Sequence, residues 1–236
     1  MLNRMIHPSP DQVRWTGLAA VVGGALGLVF APLYSLAYFA TADGAADANS
    51  AWVRAWADPA RDLLDPLLTF ASPDVVRVTY FKLFLLIVVG MLAGVVGLHA
   101  SQAQHGGRLE RWGFRASLVG LLLLTIGAFS GYWPPLLGFS FVAFILPGLL
   151  LLVVGCPLFG LGTWRAGVAP RIGAGLLIVG GPAVLLISEV ATLGGGLVLI
   201  YLAWVVLGYS LWSATPTPAH TIASSSPPSR ADRRPA

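Results

Sequence analysis

Six stretches of the chain, residues 16–40, 79–100, 116–133, 137–162, 172–193 and 197–212, hold only two formal charges between them, Lys82 and Glu189. Each is close to the ~20 apolar residues that a helix needs to cross a bilayer core. The runs are continuous and do not alternate with period two, which excludes a transmembrane β-barrel. Charged residues make up 10% of the chain, against about 25% in an ordinary soluble domain. Mean hydropathy is +0.79. The sequence therefore predicts an all-α fold, a polytopic integral membrane bundle of six transmembrane helices.

The organisation follows from the same runs. Residues 1–15 read as a short polar leader, and residues 16–213 as the membrane domain. The Pro/Ser-rich stretch 214–236 has the composition of a disordered tail. The first run is too long for a signal-peptide core and is expected to be retained as a helix. Six spans put both termini on one side. Arg4, Arg14, Arg108, Arg111, Arg115, Arg165, Arg171, Arg230, Arg233 and Arg234 fall on that side; Arg54, Arg61, Arg77 and Lys82 fall on the other. The positive-inside rule then places both termini in the cytoplasm of a cell (inner) membrane. Arg outnumbers Lys thirteen to one, and with the abundant Ala and Gly this fits a GC-rich bacterial genome. The net charge of +4 is accounted for by these loop ends, and no basic stripe suggests nucleic acid.

The long outer loop, residues 41–72, has its own pattern. Trp52 and Trp56 are four residues apart, and Leu63, Leu64, Leu67 and Leu68 recur with helical spacing opposite Arg61, Asp62 and Asp65. Asp58-Pro59 and Ser72-Pro73 read as helix starts. One or two amphipathic helices are expected, lying on the membrane surface or packed on the bundle rim. Either way, the loop is a candidate surface for membrane lipid or a protein partner.

The odd spans share an entry pattern, with Val22-Gly23, Val119-Gly120 and Val179-Gly180 at the same offset from Arg14, Arg111 and Arg171. Residues 85–97 and 150–162 align in the same way. Three repeated helical hairpins would produce this pattern; so would chance, in a chain this rich in Leu, Val and Gly. Gly90 and Gly94 have the small-xxx-small spacing of close helix packing. Pro182, after Gly180 and Gly181, is a candidate helix break in the fifth span.

Catalytic constellations are missing from the sequence. There is no metalloprotease motif, cysteine pair or phosphate-binding glycine loop. His7, His105 and His220 lie in terminal or loop segments. His99 ends the second span with no second intramembrane histidine for a haem. Ser130, Ser140 and Ser188 have no histidine at their depth. No enzyme activity, cofactor or metal is expected.

Glu189 and Lys82 remain. Glu189 lies about 25 Å along the fifth span at 1.5 Å per residue, near the outer edge of the core. It is close to a helix C-terminus, where a carboxylate is unfavourable, so it calls for a proton or a cation. Lys82 and Arg77 enter the second span at similar depth. Glu189 is thus expected to form an outer-rim ion pair, to line an outward cavity, or to sit in the turn beyond the span. Two roles follow: a non-enzymatic protein that binds a partner or lipid at its outer face, or a small transporter or channel, perhaps proton-linked, using Glu189.

Overall fold

The computed structural model describes residues 9–49, 51–102, 107–133, 136–188 and 197–214. Among them the regular secondary structure is helical, with no strand. The elements are α1 (Pro10–Phe39), α2 (Ala45–Ala48), α3 (Ala51–Leu68), α4 (Pro73–Gln102), α5 (Arg108–Ser130), α6 (Leu137–Ser140), a π-helical turn (Phe141–Ile145), α7 (Leu146–Ala166), α8 (Arg171–Ser188) and α9 (Leu197–Ser213). Helices α1, α4, α5, α7, α8 and α9 each pack on the next, and α9 packs back on α1, so these six long apolar helices close into a ring. The ends at Ser9 and Ala214 share one face, where Arg14 Nε donates to the Trp212 carbonyl at 3.3 Å. We call this the terminal face and the opposite one the far face.

Among the described residues, four helices are long and apolar enough to cross a membrane: Pro10–Phe39, Pro73–Gln102, Arg108–Ser130 and Gly138–Ala166. Helices α8 and α9 are apolar but shorter, with 18 and 17 residues. Several helices start before the apolar runs do. Helix α1 starts at Pro10 because Ser9 and Gln12 form a reciprocal capping box with Pro at the first position. Helix α5 starts at Arg108, so the segment expected to be a loop up to residue 115 is largely helical. In the outer loop, Pro73 does begin a helix, whereas Pro59 lies inside α3, which has already started at Ala51. Helix α7 ends at Gly167, which takes φ 66°, the left-handed conformation that glycine adopts without a steric penalty, and its N–H reaches the Thr163 carbonyl.

The helices approach closely where glycine removes a side chain. A Cβ on Gly17 would lie 2.7 Å from the Gly208 carbonyl, and one on Gly208 2.7 Å from the Gly17 carbonyl. Gly120 and Gly148 face each other in the same reciprocal way at 2.9 and 2.8 Å, joining α5 to α7. Such contacts are how helices pack where lipid removes the hydrophobic driving force between them. The ring is filled from its middle to the terminal face by Met91, Val95, Leu98, Leu124, Leu177, Tyr201, Trp204 and Leu207, all essentially buried. Its outside carries Val22, Val29, Leu86, Ile126, Val142, Val154 and Val179 exposed. That is a far wider apolar surface than a soluble protein tolerates. Trp15, Trp112, Trp164 and Trp212 stand exposed around the terminal face and Trp133 on the far face, as interfacial anchors do.

Candidate functional site

A cavity of about 500 Å³ opens inside the ring at the far face. Helical spacing assembles its walls. Phe30, Ala31, Tyr34, Ser35 and Tyr38 share one face of α1, and Arg77, Tyr80, Phe81, Phe84 and Ile87 share one face of α4. The third wall owes its shape to Pro147, which has no N–H to donate into the preceding turn. The helix widens just before it, with the Leu146 N–H bonding the Phe141 carbonyl five residues back. Phe141, Ile145 and Leu149 from this stretch and Leu197 and Tyr201 from α9 complete the lining.

Polar groups gather at the mouth. Arg77 Nη1 lies 3.3 Å from Asp43 Oδ2, and its guanidinium carbon is 5.2 Å from the centre of the Tyr38 ring. The Tyr38 hydroxyl donates to Asp47 Oδ2 at 3.1 Å. The Tyr80 hydroxyl donates to the Leu67 carbonyl at 2.7 Å, tying α4 to α3. Below the mouth the walls are aromatic and aliphatic, and the floor is Ile87 and Tyr201. Beneath the floor, Met91 and Trp204 close the ring.

Helix α3 borders this mouth and has three faces. Val53, Ala57, Ala60, Leu64 and Leu68 point inward and pack on Leu36, Phe39, Val76 and Tyr80. Leu63, which is 80% exposed, and Leu67 point outward, followed by exposed Phe70. At 100° per residue, Arg54, Asp58, Arg61 and Asp65 lie on the side opposite Leu63, and Asp62 lies between that side and the Leu63 stripe. The expected Leu63, Leu64, Leu67 and Leu68 face is therefore split between protein and surroundings. Trp56 packs edge-on against Phe39, and the Trp52 side chain lies outside the described residues.

The other sequence candidates are placed as follows. Arg77 pairs with Asp43. The Lys82 ammonium lies 5.7 Å from the centre of the Tyr132 ring, whose hydroxyl donates to the Lys82 carbonyl. Glu189 lies outside the described residues, as does any contact it makes with Lys82 or Arg77. Helix α8 runs through Gly180, Gly181 and Pro182 without interruption. Both glycines are at packing seams: a Cβ on Gly181 would meet the Pro157 ring, and one on Gly180 the Ile200 side chain.

The terminal face holds a polar cluster that the sequence reading missed. Glu110, 1% exposed, is hydrogen-bonded through Oε1 to His99 Nδ1 at 2.5 Å, and the His99 ring stacks flat on Phe114. Glu110 Oε2 is buried without a partner among the described residues. Nearby, Gln102 Nε2 donates to Thr163 Oγ1 at 3.0 Å, with both side chains fully buried. Placed in the first turn of α5, Glu110 benefits from the positive end of the helix dipole. The overlooked signal was its spacing: 110, 113, 117, 120 is the buried seam of α5, three of its members Gly or Ser.

No protein-family model matches the chain, and no curated protein or solved structure shows significant similarity to it.

Proposed function

We propose that the chain is a multi-pass protein of a bacterial cell membrane that acts by binding lipid at its far, outer face and not by catalysis. In this reading all six long helices cross the bilayer, α8 and α9 as short spans, and both termini are cytoplasmic. The carrying observation is the three-sided build of α3: one flank on the bundle, an exposed Leu63–Leu67–Phe70 stripe, and charges opposite that stripe. A helix so divided fits the membrane–water boundary, its stripe in lipid and its acids in water. The repeated-hairpin reading draws support from register: Gly90 meets Ala19, and the aligned Gly155 meets Ala116 and Ser117.

The transporter alternative draws on the cavity open at the far face. Against it stand the mainly apolar walls and the packed plug of Met91, Tyr201 and Trp204.

A fluorophore on a single introduced cysteine tests the lipid reading, because Cys156 is buried. In vesicles, a label at Leu63→Cys is expected to be quenched by lipid-borne quenchers, and one at Asp65→Cys by aqueous iodide. Iodide quenching at both positions would refute it.

A further inference from the structure

We propose that the far-face cavity is the binding site for one membrane amphiphile: an apolar chain between α1, α4 and α9, with a zwitterionic head at the mouth between Arg77 and Asp47. The inference rests on the membrane-embedded reading above and goes further in naming a site and a ligand class.

Size and depth come first. A cavity of about 500 Å³ falls within the ~300–1,000 Å³ of built ligand sites. At 1.5 Å per residue, the wall from Arg77 down to Ile87 is about 15 Å long. Its lower part offers Phe81, Phe84, Ile145 and Leu149. Water filling such a space would lose hydrogen bonds, whereas a hydrocarbon chain would not.

Charge decides the head. Arg77 and Asp47 both line the mouth, and Tyr38 links them, lying under the guanidinium and donating to the carboxylate. An anionic head would gain Arg77 but face Asp47 and the neighbouring Asp43. A cationic head would gain the carboxylates but face Arg77. A phosphate bearing an ammonium arm satisfies both signs, with the phosphate sharing Arg77 with Asp43, which takes Nη1, and the ammonium on Asp47 offsetting the acids.

The full-length protein, delipidated in detergent, is offered phosphatidylethanolamine or phosphatidylglycerol and read by native mass spectrometry. The wild type is expected to retain a single phosphatidylethanolamine in preference to phosphatidylglycerol. Leu149→Trp, which fills the cavity, is expected to lose it. Asp47→Asn, at an exposed position that leaves folding intact, is expected to weaken phosphatidylethanolamine by roughly tenfold and so reverse the preference. No retained lipid on the wild type, or equal retention of the two lipids by wild type and Asp47→Asn, would overturn the proposal. If the Leu63 label still reports lipid in that case, the cavity assignment alone falls; if that label reports water, the membrane-surface reading falls with it.

Discussion

The imidazole of His99, on the last turns of α4, meets the buried carboxylate of Glu110, on the first turn of α5, at 2.5 Å. The two helices are consecutive in the ring, and this bond fastens them at the terminal face. It is a charge-assisted bond at the rim of a packed interior, where an unpartnered carboxylate is costly. His99→Ala is expected to cost about 2–3 kcal/mol, because Glu110 is then left buried with no acceptor satisfied. Glu110→Gln in the His99→Ala background should recover part of the loss. Thermal unfolding in detergent of both single variants and the double variant checks this; losses that simply add would show that the pair contributes nothing.

Helix packing depends on bare backbone at the seams. Gly120→Val and Gly17→Leu are expected to unfold the protein or lower its Tm sharply, since each side chain would enter a neighbouring carbonyl. Val22→Leu, on the exposed outside of α1, should be silent. Size-exclusion profiles and melting curves of the three variants separate these outcomes.

Lys82 has an aromatic partner. A double-mutant cycle between Lys82→Ala and Tyr132→Leu is expected to show a coupling of about 0.5–1 kcal/mol, the range of exposed cation–π contacts. The same cycle with Glu189→Gln in place of Tyr132→Leu tests the ion pair suggested by sequence. Additive losses there would assign Lys82 to Tyr132 alone.

Cys156 is enclosed between α5 and α7, where a Cβ on neighbouring Gly155 would touch Ser117. It is expected to resist maleimide in the folded protein and to react fully in SDS. Labelling of the folded protein at the same rate would mean that the α5–α7 seam opens.

The sequence and the structure agree best where the signal is long. The apolar runs at 137–162 and 197–212 begin where helices begin and stop within a few residues of their ends, because helices that are apolar all round advertise themselves by composition. Boundaries failed where polar residues continue a helix beyond the apolar run. Pro10 to Arg14 and Arg108 to Arg115 are helical through capping and seam packing, which hydropathy does not register. Glu110 escapes hydropathy for that reason: it lies outside the apolar runs, although its three- and four-residue steps to Gly113 and Ser117 place it on the buried seam. The cavity had no local signature at all. Its walls join Tyr38, Arg77, Phe141 and Tyr201, four residues far apart in the chain, and only the closure of the ring brings them together. The α3 stripe was half legible: the leucines were visible, but how they divide between bundle and surroundings depends on which flank the bundle takes.

Membrane crossing with a cytoplasmic terminal face is tested most directly by single-cysteine labelling in sealed, right-side-out membrane vesicles with an impermeant thiol reagent. Gly107→Cys stands on the terminal face with open space around it, and Asp65→Cys stands on the outer polar side of α3. Asp65→Cys is expected to label at once and Gly107→Cys only after permeabilisation. Labelling of both in sealed vesicles, or the reverse order of protection, would contradict a bundle that spans the membrane with both termini inside.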